Sequence, residues 1–259
     1  MLNSISGHYT NTLKVAITST SELDKELRWL IQNKPDKTCW NLAAIYGTSP
    51  MQNTNFPSFA FNCYLNKIRL AIPFTAMSEV DATIKYNLKQ TDPRKKIVAC
   101  ITEYEDYTTS GGDVEYYKNL LKSSSLKLKE AGMLLGAYQG WSKSYGPIAQ
   151  DVDFLLLHAY RTSAQISKPE DVYNYMKTRL VEYAKELKAI GKVLPVSVLV
   201  STEKVFSQDY FKTADWNAAL VNFMNTFNAK ATPDMKQFLI INGTFVFVSA
   251  TSKVSKPLV

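Results

Sequence analysis

The stretch KIRLAIPFTAMSEVDATIKYNLKQTDPRKKIVACITE, residues 67–103, contains an apolar run, a helical segment and a second apolar run. The two runs, 67–74 and 95–103, are rich in branched apolar residues and predict strands. Between them, residues 78–90 have helical periodicity. Two nearly continuous apolar strands joined by a helix are the repeating unit of a parallel sheet that is covered on both faces.

The same alternation of strand and helix continues on both sides of this unit. Strands are predicted at 4–9, 38–47, 67–74, 95–103, 133–141, 152–160, 192–200 and 237–250, and helices at 21–33, 58–66, 78–90, 112–132, 169–191 and 215–230. Eight strands separated by helices predict an α/β protein, a single-domain (β/α)8 TIM barrel over residues 1–259 whose last helix is short or missing. An open doubly wound sheet is the alternative, but no strand is followed by a glycine-rich phosphate loop.

The composition is that of a globular protein without a metal or redox centre. Of 259 residues, 46% are hydrophobic and 20% are charged, which excludes a disordered chain. The net charge of +7 is scattered, and its densest patch, 93–96, reads as solvated surface, so we expect no nucleic-acid partner. The three cysteines form no C-x-x-C pair and there are only two histidines, so we expect no metal and no cofactor.

The sequence gives only general expectations for the cellular location and the oligomeric state of the protein. No apolar stretch is long enough to span a membrane, and no signal peptide is visible at the first residues. We expect a secreted or cell-envelope protein if a leader was removed, and a cytoplasmic one otherwise. A monomer is favoured.

In a barrel of this class, the chemistry lies at the carboxyl ends of the strands. The predicted strand ends are rich in carboxylate, amide and aromatic side chains. They comprise Tyr46 after the second strand, Glu103, Tyr104 and Glu105 after the fourth, Tyr138, Gln139 and Trp141 after the fifth, His158, Tyr160 and Arg161 after the sixth, and Glu203 after the seventh. Aromatic rings stack on sugar rings, and carboxylates and amides bind hydroxyl groups. The set therefore predicts a carbohydrate ligand or substrate.

Glu103 and Glu105 stand on alternate positions, which a strand directs to the same face. Two such carboxylates serve glycosidic cleavage if burial or mutual repulsion keeps one of them protonated. The alternative is an ordinary solvated pair, or one bridged to Arg161. The aromatic residues have rim packing as their alternative role, and His158 has a hydrogen-bonded structural one.

The segment VDFLLLHAYRTS, residues 152–163, resembles the sixth strand of family 18 glycoside hydrolases, the chitinase and endo-β-N-acetylglucosaminidase group. The methionine-x-tyrosine-acid motif of that family falls on His158, Tyr160 and Arg161. The chain is also similar to secreted barrel proteins of Bacteroidetes-type bacteria that carry EYE and LLHAYR at these two strands.

The fourth-strand motif of family 18, D-x-x-D-x-D-x-E, is matched in part. Glu105 falls on the terminal acid, Glu103 on the last aspartate and Ile101 on the aspartate before it. The resemblance implies a substrate-assisted retaining mechanism on N-acetylglucosamine-containing glycans, with Glu105 as general acid. Glu103 and Tyr160 would orient the acetamido group, and the other strand-end residues would line the sugar site.

Several positions depart from this pattern. Ile101 and Arg161 replace acids, and Phe245 or Phe247 is the nearest counterpart of the tryptophan on the eighth strand. These departures favour the alternative of a catalytically degenerate barrel that binds glycans without hydrolysing them. A barrel enzyme of another class, such as an aldolase or a phosphate-binding isomerase, is a weaker alternative because its catalytic lysine or glycine-rich phosphate grip is missing.

Overall fold

The computed structural model describes residues 6–10, 20–34, 40–45, 48–103, 114–139, 148–159, 169–201 and 216–248. The strands are β1 Ser6–Thr10, β2 Asn41–Ile45, β3 Ile68–Phe74, β4 Ala99–Thr102, β5 Leu134–Gln139, β6 Phe154–His158, β7 Leu194–Ser201 and β8 Leu239–Val248. The α-helices are α1 Thr20–Gln32, α2 Phe56–Leu65, α3 Met77–Leu88, α4 Val114–Glu130, α5 Pro169–Ile190, α6 Trp216–Lys230 and α7 Pro233–Phe238. Short 3₁₀ turns occur at Ser49–Gln52 and Pro93–Lys95.

The strands form a curled parallel sheet. They pair in chain order from β1 to β8, and β8 also pairs with β1. This order lacks the reversal that defines an open doubly wound sheet. The predicted alternation of parallel strands and helices is confirmed.

Alternation along each strand divides the apolar side chains between two cores. On β6, Phe154 and Leu156 belong to an interior cluster enclosed by the sheet, whereas Leu155 and Leu157 belong to a larger cluster that includes residues of the helices. The interior cluster comprises Leu42, Ala44, Ala71, Ala99, Ile101, Tyr138, Phe154, Leu156 and Leu199. Each buried Leu or Phe stabilises the fold by roughly 1.5–3 kcal/mol relative to its exposed state. The carboxyl ends of the strands form one end of the sheet, which we call its mouth. Only side chains on the interior face of the strands can reach the inside of this mouth.

Two helices are each followed by a glycine with a positive φ angle. Gly132 follows α4 with φ +67°, and Gly191 follows α5 with φ +64°. A Cβ atom disfavours this left-handed conformation, so glycine suits the position just past a helix.

The carboxyl-terminal part differs from the prediction in one element. The strand predicted from residue 237 begins at Leu239, and the preceding α7 was not predicted. Thr232 caps α7 by accepting a hydrogen bond from the Met235 backbone N at 3.3 Å. The pairing of β7 with β8 is irregular near Gly243, where the register moves from Val196↔Ile241 to Ser197↔Gly243. The predicted short or missing last helix would follow β8 and lies outside the described residues.

Within the described ranges, no helix has the length and apolar character needed to cross a membrane. Cys63 and Cys100 are buried and form no disulfide within the part of the chain that the structure describes. Cys39 lies outside the described residues.

Candidate functional site

The carboxyl ends of β4, β5 and β6 bring three predicted residues to one face of the sheet. Thr102 pairs with Ala137, and Tyr138 pairs with Leu156. Alternation from the interior residues of the three strands places Glu103, Tyr138 and His158 on the interior face. These are an acid, a phenol and an imidazole at the tips of consecutive strands.

Glu103 extends β4 by one residue. Its backbone N donates to the Phe74 backbone oxygen at 2.9 Å, which continues the ladder between β3 and β4. The side chain is half-buried, and its Oε2 atom is shielded from solvent. The sheet therefore fixes the backbone position of Glu103 at the mouth of the sheet.

Tyr138 and His158 form an edge-to-face pair. Their ring centroids are 6.4 Å apart with an interplanar angle of 77°. The exposed fractions are 8% for Tyr138 and 3% for His158, so both rings are held within the protein. Nδ1 of His158 lies 3.1 Å from the Tyr175 hydroxyl oxygen, which brings a residue of α5 to the strand tip. The alternative role considered for His158, that of a hydrogen-bonded structural residue, therefore agrees with the contact that its Nδ1 atom makes.

Gln139 has a different environment from the one expected for a residue that lines a sugar site. Its side chain is completely buried. Its Nε2 donates to the Tyr117 hydroxyl on α4 at 3.1 Å and to the Tyr138 backbone oxygen at 2.9 Å. The Tyr183 hydroxyl on α5 donates to its Oε1 at 2.7 Å. Because Gln139 follows Tyr138 on the strand, its side chain lies on the opposite face and joins the sheet to two helices.

Arg179 is the structural residue of this region that sequence reasoning missed. Its side chain is completely buried. Nη1 donates to the Gln139 backbone oxygen at 3.0 Å, and Nη2 donates to the His158 backbone oxygen at 2.8 Å. The guanidinium thus binds the last carbonyl groups of β5 and β6.

A signal for Arg179 does exist in the sequence. It stands on the apolar stripe of α5, which also contains Val172, Met176, Tyr183 and Leu187, all of them buried. A charged residue on a buried stripe needs hydrogen-bond partners. The strand ends are the nearest source of free backbone acceptors.

Seven predicted site residues lie outside the described residues. They are Tyr46, Tyr104, Glu105, Trp141, Tyr160, Arg161 and Glu203. Their roles stay predictions. In the described part of the chain, no group of three His, Cys, Asp or Glu side chains is arranged to hold a metal ion.

A separate cavity of about 640 Å³ lies between residues 48–57 and α3. Its lining includes Met51, Asn53, Lys85 and Lys89, and none of the strand-end residues. It is therefore distinct from the mouth of the sheet.

Comparisons of the structure with solved structures find carbohydrate-active enzymes. The chain is similar to a glycoside hydrolase family 17 β-1,3-glucanosyltransferase from Rhizomucor miehei, with a TM-score of 0.59, 13% identity, and coverage of 93% of this chain and 85% of that chain. It is similar to a GH5_18 protein from Bifidobacterium longum in complex with Manβ1-4GlcNAc, with a TM-score of 0.56, 8% identity, and coverage of 98% and 75%. It is also similar to a family 26 endo-β-1,4-mannanase from Cellulomonas fimi, with a TM-score of 0.54, 11% identity, and coverage of 95% and 65%.

These similarities show the fold: an α/β barrel-like sheet of the kind found in TIM-barrel glycoside hydrolases. No family model matches the sequence, and no curated protein matches it. The resemblance to family 18 in particular is not confirmed. At these identities the comparisons carry no residue roles.

Proposed function

We propose that the protein is a glycan-active (β/α)8 barrel whose site is formed by the carboxyl ends of β2 and of β4 to β7. The observation that carries the proposal is the placement of Glu103, Tyr138 and His158 on one face at the ends of three consecutive strands. Pairing of β8 with β1 supports a complete eightfold barrel. The similar structures, which are a glucanosyltransferase, a mannanase and a protein in complex with Manβ1-4GlcNAc, support a glycan as the ligand.

The activity we propose is hydrolysis of N-acetylglucosamine-containing glycans. Glu105 would act as general acid, protonating the glycosidic oxygen while the acetamido group of the sugar attacks the anomeric carbon. Glu103 would orient that acetamido group together with Tyr160. Tyr46, Tyr104, Tyr138, Trp141, His158, Arg161 and Glu203 would line the site. Gln139 is left out of the ligand contacts because its amide is bonded to α4 and α5.

Replacement of Glu105 tests this activity. We expect Glu105→Gln to lower release of a chromogenic N-acetylglucosaminide by about 100-fold or more, the usual contribution of a general acid. Glu115→Gln is the matched control, because Glu115 is exposed on α4 and pairs only with Lys118 at 3.7 Å among the described residues. Unchanged release by Glu105→Gln removes the proposed role.

Replacement of Glu203 distinguishes two mechanisms of the same activity. Most glycoside hydrolases use a pair of carboxylates, and substrate assistance is an exception. If Glu203 were the second carboxylate of such a pair, Glu203→Gln would abolish turnover as completely as Glu105→Gln. Under the substrate-assisted mechanism, we expect Glu203→Gln to keep turnover and to raise KM.

A second function, glycan binding without hydrolysis, is favoured by one observation. Ile101 falls where the family 18 resemblance expects an inner carboxylate, and it is completely buried in the interior apolar cluster. A carboxylate relay through this position is therefore absent. This alternative predicts binding on a glycan array that survives Glu105→Gln and weakens in Trp141→Ala, without release of product by the wild-type protein.

A further inference from the structure

His158, Tyr175 and Arg179 form a connected group at the end of β6. Tyr175 and Arg179 are four residues apart on α5, so their side chains share one face of the helix. Tyr175 reaches the Nδ1 atom of His158 at 3.1 Å, and Arg179 reaches its backbone oxygen at 2.8 Å. Ring and backbone of one residue are thus held by two side chains of the same helix.

Arg179 also acts on Tyr175 directly. Its guanidinium carbon lies 4.8 Å from the centre of the Tyr175 ring. A cation over the ring is attracted by its π-electrons and withdraws negative charge from the phenol. Because arginine stays charged in proteins, this effect is permanent. It makes the Tyr175 hydroxyl a stronger donor and a weaker acceptor.

We infer that Tyr175 and Arg179 are positioning residues that hold His158 in the tautomer with its proton on Nε2. When the Tyr175 hydroxyl donates to Nδ1, a neutral imidazole carries its proton on the other nitrogen. The two ring nitrogens point in diverging directions, so Nε2 is directed away from Tyr175. His158 then carries its N–H donor on the ring edge that faces away from Tyr175.

The chemistry of this donor fits an oxygen-rich ligand. Hydroxyl, ring and carbonyl oxygens of a saccharide all accept hydrogen bonds, and an imidazole N–H held in one orientation selects among them at little entropic cost. The edge-to-face contact places the His158 ring beside the ring of Tyr138, the aromatic residue of the interior cluster at this end of the sheet. This assignment of the ligand rests on the proposed function, whereas the tautomer does not.

The tautomer is measured by a two-bond ¹H–¹⁵N correlation spectrum of the full chain at pH 8. The chain has two histidines, so a His8→Gln variant completes the assignment. We expect the Nε2–H pattern for His158 in the wild-type protein. We expect Tyr175→Phe to convert it to a mixture of tautomers or to the Nδ1–H form. A wild-type Nδ1–H pattern, or an unchanged pattern in Tyr175→Phe, overturns the inference.

Tyr173→Phe is the matched control. Tyr173 lies on the same helix and is 1% exposed, and its hydroxyl has no hydrogen-bond partner among the residues that the structure describes. Its removal is expected to leave the His158 spectrum unchanged. If Tyr175→Phe does not fold, Arg179→Lys gives the second measurement: loss of the planar cation over the ring is expected to produce the same mixture, and an unchanged Nε2–H pattern overturns the role of Arg179.

Ligand contact is tested separately with laminaritriose and with a trimer of N-acetylglucosamine. We expect His158→Phe to weaken binding of whichever trisaccharide the wild-type protein binds by about tenfold, and His158→Gln, which keeps an N–H donor, to weaken it less. Equal binding by His158→Phe and wild type overturns the ligand contact. If the wild-type protein binds neither sugar, the proposed function fails, while an Nε2–H spectrum still supports the tautomer.

Discussion

Tyr138 and Gln139 are neighbours in the chain, yet their side chains lie on opposite faces of β5. Tyr138 belongs to the interior cluster and contacts His158 edge to face, whereas Gln139 is completely buried and bonded to Tyr117 and Tyr183. One side chain therefore faces the interior of the sheet, and the other holds the sheet to its helices.

The first prediction follows from the role of Gln139. We expect Gln139→Leu to lower the free energy of unfolding by about 2 kcal/mol, because the buried hydroxyls of Tyr117 and Tyr183 each lose a hydrogen bond to Gln139. The affinity of the folded protein for any glycan that the wild type binds is expected to be unchanged. Urea unfolding and a binding titration measure the two quantities.

The control for this variant is Gln32→Leu, which replaces an exposed glutamine at the end of α1. It is expected to change the unfolding free energy by less than about 0.5 kcal/mol. A Gln139→Leu protein that is as stable as the wild type, but binds glycan more weakly, would return Gln139 to the ligand site.

Arg179 gives the second prediction. We expect Arg179→Met to lower the free energy of unfolding by about 3 kcal/mol, because the carbonyl groups of Gln139 and His158 lose charged donors in a buried site. Methionine keeps much of the apolar stem and removes the guanidinium. Chemical denaturation measures the loss.

Lys177→Met, at an exposed position of the same helix, is the comparison for Arg179→Met and is expected to be nearly neutral. Hydrogen exchange adds a local readout: amide protection should fall first at the ends of β5 and β6. A uniform loss of protection across the chain would mean that Arg179 stabilises the whole fold without a special effect on these two strand ends.

The order and kind of the elements were predictable because they depend on local patterns. The run 67–74 became β3, and 169–191 became α5 with its glycine terminator, since apolar periodicity and helix-end signals act over a few residues. The six-residue α7 was missed because it is shorter than two helical turns, over which periodicity cannot be recognised.

The site was predictable only in part, for a different physical reason. Alternation permits only one of Tyr138 and Gln139 to face the interior, but the sequence does not say which face that is until neighbouring strands are registered. The role of Arg179 depends on two carbonyl groups that are 40 and 21 residues away in the chain. Such contacts exist only after the helix has packed on the sheet.

The interior of the sheet gives the third prediction, at Gly136. A Cβ atom added there would lie 2.3 Å from Cζ of Phe154, whose ring is completely buried in the interior cluster. We expect Gly136→Ala to lower the free energy of unfolding by about 2 kcal/mol, the usual cost of overpacking a core. The thermal midpoint or a urea titration measures it.

A double-mutant cycle tests the cause of that loss. Phe154→Leu alone leaves a cavity and destabilises the protein, but it also removes the atoms that the new methyl group would meet. The unfolding free energy lost by the double variant Gly136→Ala/Phe154→Leu is therefore expected to be smaller than the sum of the two single losses by at least about 1 kcal/mol. Strict additivity would show that the methyl group is accommodated without contacting Phe154.

The fourth prediction concerns Glu186, which lies against the loop that leads into β6. Its carboxylate accepts from the backbone N of Gln150 at 3.1 Å and of Ala149 at 3.4 Å. Burial raises the pKa of Glu186 to about 7, and the nearby charge of Asp151 adds to the rise, while the two hydrogen bonds and Lys192 oppose it. The pKa of Lys192 is lowered, chiefly by burial.

Glu186 should make the stability depend on pH between about 4.3, the value for an unfolded glutamate, and 7. In this window the folded state holds the proton and the unfolded chain does not. The contribution of the protonated carboxyl to the stability is therefore complete below the window and is lost as pH rises through 7.

After allowance for partial solvent screening, we expect the unfolding free energy of the wild type to fall by about 1 kcal/mol more between pH 5 and pH 8 than that of Glu186→Gln. Urea unfolding at the two pH values measures this difference, and Glu182→Gln, an exposed position of the same helix, is expected to follow the wild type. Identical pH dependence in wild type and Glu186→Gln would show that Glu186 titrates alike in the folded and unfolded states.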